Sequence, residues 1–459
     1  MAPPNRSGKT KTKKQAQQSR KPVNNKREPK RNTRREENRK EETIDLLSNT
    51  TTIISSDLQQ LLLNVFKYAL SIFPSASNEV KDGNEPARGE ETDPDLNMQI
   101  QTLKTHLYNR DFDSAFTDAS PALLRAYALR WSASRCLAYA GLFRDVVECV
   151  LSDSISGSEN CAVSDEDEEL GVLCIGGGAG AEIVALAGAW RAIGDEHLVK
   201  ETEPVEEEEQ TGIGSLSLKG DGEQKQKKKK LAITAVDIAE WSDVIDRLDR
   251  AIHSVDIPGP KTCASPLIQD GAAIDISFEH VDILTLSESD LKSLLSHSLH
   301  SPSAAAAAAT KERRRRSLIS LMFTLNELFS TSIPKTTQLL LRLTDLSSPG
   351  TVLLVVDSPG SYSTLSFSNP DSKPQSSNTS GRQHPMKFLL DHTLLTVAEG
   401  KWEKLVSQDS RWFRRDVNSR LHYNVDLEGG QGFIKLEDMR FQIHVYRRLD
   451  SSDSQKEIR

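Results

Sequence analysis

The sequence predicts an α/β fold, in which helices cover a mostly parallel sheet, an antiparallel hairpin extends its C-terminal edge, and further helices precede it. Three observations indicate this fold. From about residue 170 onward, short apolar runs alternate with helical patterns, which is typical of a parallel sheet covered on both faces. Residues 53–73 and 122–150 repeat apolar side chains at helical spacing. The runs Leu421–Leu427 and Phe433–Arg448 flank Gly429-Gly430, which predicts the hairpin.

The predicted strands and helices follow one another along the chain. Five apolar runs predict the parallel strands: Val172–Ile175, Leu231–Val236, Ile274–Phe278, Leu318–Phe323 and Val352–Val356. Helical patterns lie between most of them, at residues 181–193, 241–252, 287–300 and 335–344. Ahead of the sheet, Ser56 and Gln59 resemble a capping box for the first helix, and Pro74 ends it. Ser120-Pro121 is a plausible start for the helix at 122–150.

The composition limits the number of domains. The chain has 459 residues, of which 37% are hydrophobic and 5% aromatic, and six stretches are poor in core residues. The remainder supports one well-cored domain with appended helices and is too short for three domains. We therefore expect three regions: a disordered basic arm at 1–43, a helical segment at 44–150 and the main α/β domain at 170–450. The stretches poor in core residues are 1–43, 75–95, 153–169, 195–230, 295–317 and 358–385. Those at 195–230, 295–317 and 358–385 are predicted to be low-complexity insertions of the main domain.

Several protein classes find no support in the sequence. A run of about 18 uncharged apolar residues is absent, so no transmembrane helix is expected, and residues 1–43 lack the apolar segment of a secretory signal. The five cysteines are scattered without a CxxC pair, which fits a reducing compartment and argues against a zinc site. The ten histidines show neither HxxxH nor HExxH spacing. We expect no membrane partner and no metal.

Charge is concentrated at the N-terminus. Residues 1–40 hold 15 lysines and arginines and three acidic residues, so the arm carries +12, whereas the rest of the chain carries −20. A basic arm on an acidic body is a common arrangement for contacting nucleic acid. The same clusters also suit a nuclear-import signal, and the two roles can coexist.

A glycine-dense turn follows the first predicted strand. Val172–Ile175 leads into Gly176-Gly177-Gly178-Ala179-Gly180, and a helix is predicted from Ala181. Glycines permit a tight turn and close approach of a ligand to the backbone, while a helix N-terminus offers free N–H groups. Two cofactor classes compete for this turn, since Gly176, Gly178 and Ala181 fit the dinucleotide pattern GxGxxG/A, whereas Gly176, Gly178 and Gly180 fit the GxGxG of S-adenosylmethionine (SAM) enzymes. An ordinary structural turn is the third alternative.

Acidic residues follow the second and third predicted strands. Asp237 ends the second strand, where an acceptor-only carboxylate can bind two ribose hydroxyls, and Ile238 next to it is assigned to the same site. Asp282 follows the third strand and can accept from an adenine amino group, while Ile283 packs on the ring. Each aspartate alone is more often a plain surface carboxylate. A glycine turn and two aspartates at three strand ends in register favour an adenosine-bearing cofactor.

The fourth strand is expected beside the first, so that its end faces the reactive part of the cofactor. Asn326 and Glu327 follow this strand. If the acceptor is a protonated pyrimidine ring nitrogen, Glu327 can remove the proton and Asn326 can orient the ring. The alternative with equal weight is that Glu327 only caps the following helix.

Two segments combine aromatic and arginine side chains. Tyr127–Arg135 and Arg411–Arg415 both contain residue types that stack on bases and bind phosphates. For the first segment, a corner between packed helices with Trp131 in the core is an equally good interpretation. For the second, an exposed RNA-facing surface is slightly favoured.

In this order, the motifs resemble the fungal large-subunit (25S) rRNA uridine-N3 methyltransferases. The resemblance covers roughly residues 96–450 without the insertions. It rests on five segments: Tyr127–Arg135, Val172–Glu182, Val236–Ser242, Phe323–Leu328 and Met439–Tyr446. It implies a Rossmann-like class I SAM-dependent fold, uridine N3 as the acceptor and a nucleolar location. It also implies that Gly176, Gly178, Gly180 and Asp237 bind SAM.

One position departs from the class I pattern. Many class I enzymes place an acidic residue two positions before the first glycine, where this chain has Cys174. The amino group of SAM then needs another partner, and Glu182 or a main-chain carbonyl is the expected substitute.

The sequence therefore predicts a SAM-dependent methyltransferase that acts on ribosomal RNA or pre-ribosomal particles in the nucleus and nucleolus. Three alternatives remain open at this point. They are methylation of a protein or small molecule, a ribosome-assembly role without activity, and NAD chemistry, which is disfavoured because no hydride-transfer residues are evident.

Overall fold

The structure, a computed structural model, describes most of the predicted α/β domain and the helices that precede it. The described residues are 54–71, 94–151, 169–202, 230–269, 273–299, 316–360, 362–365, 382–415, 425 and 434–450. The predicted basic arm at 1–43 and most of each predicted insertion lie outside these ranges.

A seven-stranded sheet forms the centre of the molecule, in the strand order β3-β2-β1-β4-β5-β9-β8. Strands β1 to β5 are parallel to one another, and β9 runs antiparallel between β5 and β8. The strands of this sheet are β1 (Glu169–Ile175), β2 (Lys230–Asp237), β3 (Ala273–His280), β4 (Arg316–Met322), β5 (Val352–Asp357), β8 (Trp402–Phe413) and β9 (Met439–Arg448). A separate antiparallel pair is formed by β6 (Tyr362–Leu365) and β7 (Arg382–Pro385). The predicted α/β fold is confirmed, as is the position of the fourth strand beside the first.

Ten α-helices are described, and they cover both faces of the sheet. They are α1 (Ser56–Leu70), α2 (Pro94–Asn109), α3 (Pro121–Tyr127), α4 (Ala133–Leu151), α5 (Ala181–Thr202), α6 (Ser242–Ile252), α7 (Glu288–Leu299), α8 (Leu325–Thr331), α9 (Ile333–Leu346) and α10 (Met386–Asp391). The described ranges also contain three short π-helical segments, at Asp113–Thr117, Ala128–Ser132 and His392–Val397. The second of these joins α3 to α4, so the single helix predicted at 122–150 is divided in two.

Helix starts are only partly as predicted. The Ser120 hydroxyl accepts from the Leu123 N–H at 3.3 Å, and Pro121 is the first residue of α3. At α1 the capping residue is Ser55, which accepts from the Leu58 N–H, so the cap predicted at Ser56 was wrong by one residue. The Gln59 side chain donates to the Ile54 carbonyl instead of accepting from a backbone N–H. Helix α5 also continues to Thr202, past the predicted start of the insertion at 195.

The hairpin prediction named the wrong first strand. The partner of β9 is β8, at Trp402–Phe413, whereas Leu421–Leu427 lies outside the described residues except for Val425, which is in no strand. Two register shifts interrupt β8, between Lys404 and Val406 and between Gln408 and Arg411. Such irregularities break the alternation of inward and outward side chains, so the strand carries no two-residue pattern.

Two hydrophobic clusters enclose the sheet, one on each face. Because side chains alternate along a strand, Val172 and Cys174 of β1 enter the first cluster, while Leu173 and Ile175 enter the second. The first cluster contains side chains from each of the helices α1 through α6, and the second contains side chains from α7 through α10. The N-terminal helices therefore share a core with the sheet.

Two further properties bear on the kind of site the fold can carry. Within the described ranges, no helix has the length and apolar character needed to cross a membrane. The same part of the chain holds no cluster of three or more His, Cys, Asp or Glu side chains arranged to bind a metal ion.

Candidate active site

The glycine turn connects β1 to α5 at the carboxyl end of the sheet. Gly176 and Gly180 both have φ +80°, in the left-handed region that favours glycine. The Gly176 N–H donates to the carbonyl of Val236 at 2.8 Å, which ties the start of the turn to the end of β2. The turn closes with a hydrogen bond from the Gly180 N–H to the Gly177 carbonyl at 3.1 Å.

The neighbouring strand ends leave this turn no room for side chains. A Cβ atom at Gly178 would lie 2.1 Å from Cδ1 of Trp241 and 2.7 Å from Cβ of Asp237. A Cβ atom at Gly176 would lie 2.2 Å from Oγ1 of Thr324, which follows β4. The turn is therefore pressed between the segments that follow β2 and β4.

Asp237 lies at the end of β2, in contact with the turn. Its carboxylate accepts the N–H of Gly178 at 3.2 Å and that of Ala239 at 3.1 Å. Burial raises the pKa of Asp237, and these backbone hydrogen bonds oppose the rise. A carboxylate oxygen accepts more than one hydrogen bond, so Asp237 keeps the capacity to bind hydroxyl groups.

The other residues predicted for the cofactor site lie nearby but differ in exposure. Ile238 is 51% exposed at the surface, whereas Ile283 is 5% exposed and belongs to the second hydrophobic cluster. The Asp282 carboxylate accepts the Leu284 N–H at 2.9 Å, within its own turn. The Val281 N–H donates to the carbonyl of Asp237 at 2.9 Å, which joins the β3 turn to the end of β2.

Glu182 is a buried acid in the first turn of α5, only 4% exposed. Burial raises its pKa to about 8; nearby Asp237 adds to the rise, and Arg135 opposes it. Arg135 lies on α4 and donates to the hydroxyl of Tyr127 at 2.8 Å. Glu182 is thus an acid whose charge is little stabilised by water and which faces one cation from the N-terminal helices.

Asn326 and Asp357 form a buried pair where β4 and β5 end. The backbone N–H of Asn326 donates to Oδ2 of Asp357 at 2.9 Å, and its side-chain amide donates to Oδ1. Burial raises the pKa of Asp357 to about 6, although these hydrogen bonds and one from the Ser358 N–H oppose the rise. The amide nitrogen of Asn326 is therefore committed to Asp357. Sequence reasoning missed Asp357, although its place at a strand end is the signal that identified Asp237.

Glu327 is exposed in the first turn of α8, next to this pair. Its charge adds to the rise in the pKa of Asp357. Thr324 is the N-cap residue of this helix, and its side chain makes no capping hydrogen bond. Because Glu327 is exposed, a substrate can reach its carboxylate. Its role as a base stays a prediction.

A cavity of about 220 Å³ lies beside the end of β4. Its lining includes Phe323, Arg135 and the start of β9, and sequence reasoning assigned no substrate role to Phe323. Phe323 has φ +58°, unusual for a residue with a side chain, and its ring stacks on Tyr139 with centroids 6.3 Å apart. The cavity therefore joins α4, β4 and β9 at the carboxyl end of the sheet.

The segment Tyr127–Arg135 forms a packed corner between helices. The ring centroids of Tyr127 and Trp131 lie 5.1 Å apart, and those of Tyr127 and Trp241 lie 5.9 Å apart. Arg130 makes an ion pair with Glu437. These intramolecular contacts favour the structural interpretation for most of the segment, whereas Arg135 also lines the cavity.

We compared the chain with known protein families, curated proteins and solved structures. Residues 84–447 match the model of the family described as "Putative SAM-dependent methyltransferase". The chain is 31% identical over 347 residues to the 25S rRNA (uridine(2843)-N(3))-methyltransferase of Saccharomyces cerevisiae, covering 74% of this chain and 77% of that protein. A solved SAM-dependent methyltransferase from Methanosarcina mazei is 12% identical, with a TM-score of 0.26, over 62% of this chain and 93% of that one. The solved CurJ carbon methyltransferase is 12% identical, with a TM-score of 0.29, over 91% and 98% of the two chains.

We expect Gly178→Ala to lower SAM affinity by roughly tenfold or more, equivalent to about 1.4 kcal/mol. The added methyl group must displace Trp241 and Asp237, which changes the geometry of the turn. Titration calorimetry with SAM measures the effect. The matched control is Gly194→Ala in α5, because a Cβ atom there meets nothing within 4 Å. Equal SAM affinity in the two variants would show that the turn does not contact the cofactor.

We expect Glu182→Gln to flatten the dependence of stability on pH. The pKa of Glu182 is about 8 in the folded protein and about 4.5 as the ordinary value, so the folded state holds this proton more tightly. The protonated Glu182 therefore contributes its full share to the free energy of unfolding below pH 4.5, and this contribution is lost as the pH rises through 8. Urea unfolding should show Glu182→Gln gaining stability relative to wild type between pH 5 and 8, by at most about 1.4 kcal/mol per pH unit.

The exposed Glu288→Gln variant is the control for this measurement, since Glu288 occupies the first turn of α7. A constant stability difference between Glu182→Gln and wild type across this pH range would contradict the pKa of Glu182.

Proposed function

Because the chain belongs to a family of SAM-dependent methyltransferases, we propose that it methylates N3 of a uridine in large-subunit ribosomal RNA. The 31% identity over 347 residues with a protein named for that reaction carries this proposal. The contact between the glycine turn and Asp237 supports it, since it forms the kind of cradle that an adenosine-bearing cofactor needs.

The proposed cofactor site follows the carboxyl ends of β1, β2 and β3. The turn of Gly176, Gly178 and Gly180 would leave the backbone open to SAM, and Asp237 would bind the ribose hydroxyls. The exposed Ile238 would contact the adenine, and Asp282 would accept from its amino group, whereas the side chain of Ile283 is packed in the second hydrophobic cluster. Glu182 would face the amino group of the methionine part. When bound, SAM supplies an electrophilic methyl group on a positively charged sulfur.

In the proposed reaction, uridine N3 would accept the methyl group that bound SAM supplies, and S-adenosylhomocysteine would be the leaving product. The N3 proton passes to a base, for which Glu327 is the candidate. Asn326 would orient the ring, held in place by its two hydrogen bonds to Asp357. Because displacement at a methyl carbon mainly requires alignment of the reacting atoms, the protein contributes through positioning.

The substrate proposal includes a cellular context. We expect the enzyme to act on pre-ribosomal particles in the nucleolus, where ribosomal RNA is accessible before assembly ends. A base that is methylated at a ring atom used for pairing must leave its helix, so a single-stranded or splayed-out nucleotide is the expected target.

We expect loss of the gene to remove one N3-methyluridine from large-subunit ribosomal RNA. Mass-spectrometric mapping of rRNA modifications detects this change. The wild-type gene should restore the methyl group, whereas Asp237→Ala should not, because the ribose loses its acceptor. The control is Asp256→Ala, which removes an exposed carboxylate after α6. If no methyl group disappears while subunit assembly fails, the protein acts as an assembly factor instead.

We expect Glu327→Gln to lower the rate of methyl transfer by roughly 10²-fold or more, because general base catalysis typically contributes 10²–10⁴-fold. SAM binding should be unchanged. Transfer of labelled methyl from SAM to ribosomal RNA, measured at saturating SAM, gives the rate. Glu288→Gln is the matched control, since both residues are exposed acids in the first turn of a helix. If Glu327→Gln transfers the methyl group at the wild-type rate, Glu327 is not the base and acts only at the start of the helix.

A further inference from the structure

An exposed indole lies at the carboxyl end of the sheet, outside the candidate active site. Trp412, near the end of β8, is 41% exposed, although its neighbour Phe413 is buried. Trp412 pairs with Arg440 of β9, while Asp357 at the end of β5 pairs with Gln442. Trp412 and Arg440 therefore lie beyond the carboxyl end of β5. The glycine turn lies at the same end of the parallel strands.

Two arginines hold this indole. The guanidinium carbon of Arg414 lies 4.5 Å from the ring centroid of Trp412, and that of Arg440 lies 5.7 Å away. Both distances are within the range of cation–π attraction. Among the described residues, neither arginine makes an ion pair, and the Arg440 Nε donates to the Ser410 hydroxyl at 2.9 Å. Arg414 lies near enough to Asp438 to help lower the pKa of that carboxyl. Within the described ranges neither guanidinium is neutralised by a direct ion pair, so both can still bind an anionic partner.

The local charge opposes that of the chain. Residues 409–415 and 437–440 contain four arginines and three acidic residues, in a protein whose net charge is −8. Each acid has a cationic partner: Asp438 pairs with Arg415 at 3.3 Å, Glu437 with Arg130 at 2.5 Å and Asp409 with Lys387 at 2.5 Å. A cationic surface attracts a polyanion such as RNA locally, even though the net charge of the protein is negative.

This surface continues into the cavity beside β4. Met439 and Arg440 line that cavity together with Phe323, Arg135 and the ion-paired acids Glu437 and Asp438. One short segment of β9 therefore connects the exposed indole to the residues around the end of β4, where the proposed methyl transfer takes place. A nucleotide chain that contacts Trp412 has a direct route to the cavity.

We propose that Trp412, Arg414 and Arg440 form a stacking platform for single-stranded RNA, beside the nucleotide that enters the site. A base stacks on the exposed part of the indole, and the guanidinium groups bind the flanking phosphates. Duplex RNA presents no free base faces, so the platform selects unpaired nucleotides. The proposal rests on the proposed function for its choice of RNA substrate, and it adds where the RNA outside the target nucleotide binds.

Binding of a fluorescently labelled single-stranded RNA of twelve nucleotides to the full chain tests the platform. We expect Trp412→Ala to weaken binding by about tenfold, the effect of losing one stacked base. Arg414→Ala/Arg440→Ala should also weaken binding and in addition reduce the salt dependence, because two phosphate contacts are lost. Trp412→Phe should retain most of the affinity. The controls are Tyr68→Ala, whose side chain is 45% exposed on α1, and the exposed Arg250→Ala on α6.

SAM affinity by calorimetry, measured on the same proteins, separates this proposal from the proposed function. Trp412→Ala should bind SAM as the wild type does. If the wild type binds no SAM, the proposed function fails, while the RNA measurement still decides the platform. Affinity of Trp412→Ala for single-stranded RNA equal to that of Tyr68→Ala overturns the platform. An equal loss for duplex and single-stranded RNA also overturns it.

Discussion

The close packing of the glycine turn against the end of β2 is the constraint on which the site depends. The Gly178 N–H donates to the Asp237 carboxylate, and the approach of Trp241 leaves no space for a Cβ atom at Gly178. Backbone and carboxylate are thereby fixed to each other before any ligand binds. A preformed cradle of this kind lowers the ordering cost of binding a flexible cofactor.

Three buried acids give the carboxyl end of the sheet its electrostatic character. Burial raises the pKa values of Glu182, Asp237 and Asp357, which follow or end β1, β2 and β5. Backbone N–H groups offset the charge at all three acids, and at Glu182 the guanidinium of Arg135 also opposes the rise in pKa. A cationic ligand that binds beside these acids favours their charged form and so opposes the effect of burial on their pKa values. The positively charged sulfur of SAM matches this environment.

The antiparallel strand β9 links the ends of β4 and β5 to the outer surface. Its Gln442 donates to the carbonyl of Ser358, next to Asp357, and also contacts the buried His444. Burial lowers the pKa of His444 to about 4, so the ring stays neutral within this polar network. The same strand begins at the cavity and pairs with the exposed Trp412 of β8. A single strand therefore sets the position of both Asn326, through Asp357, and the arginine-rich surface.

The sequence by itself determined the parallel strands, the glycine turn and Asp237, because strand burial, turn flexibility and the acceptor at a strand end each leave a local pattern of residues. It did not determine the partner of β9, since the irregular register of β8 removes the alternating pattern that identifies a strand. Nor did it show that Asn326 is held by Asp357, 31 positions away. Only the tertiary structure decided which residues of the aromatic and basic segments are packed or exposed, because burial depends on neighbours distant in sequence.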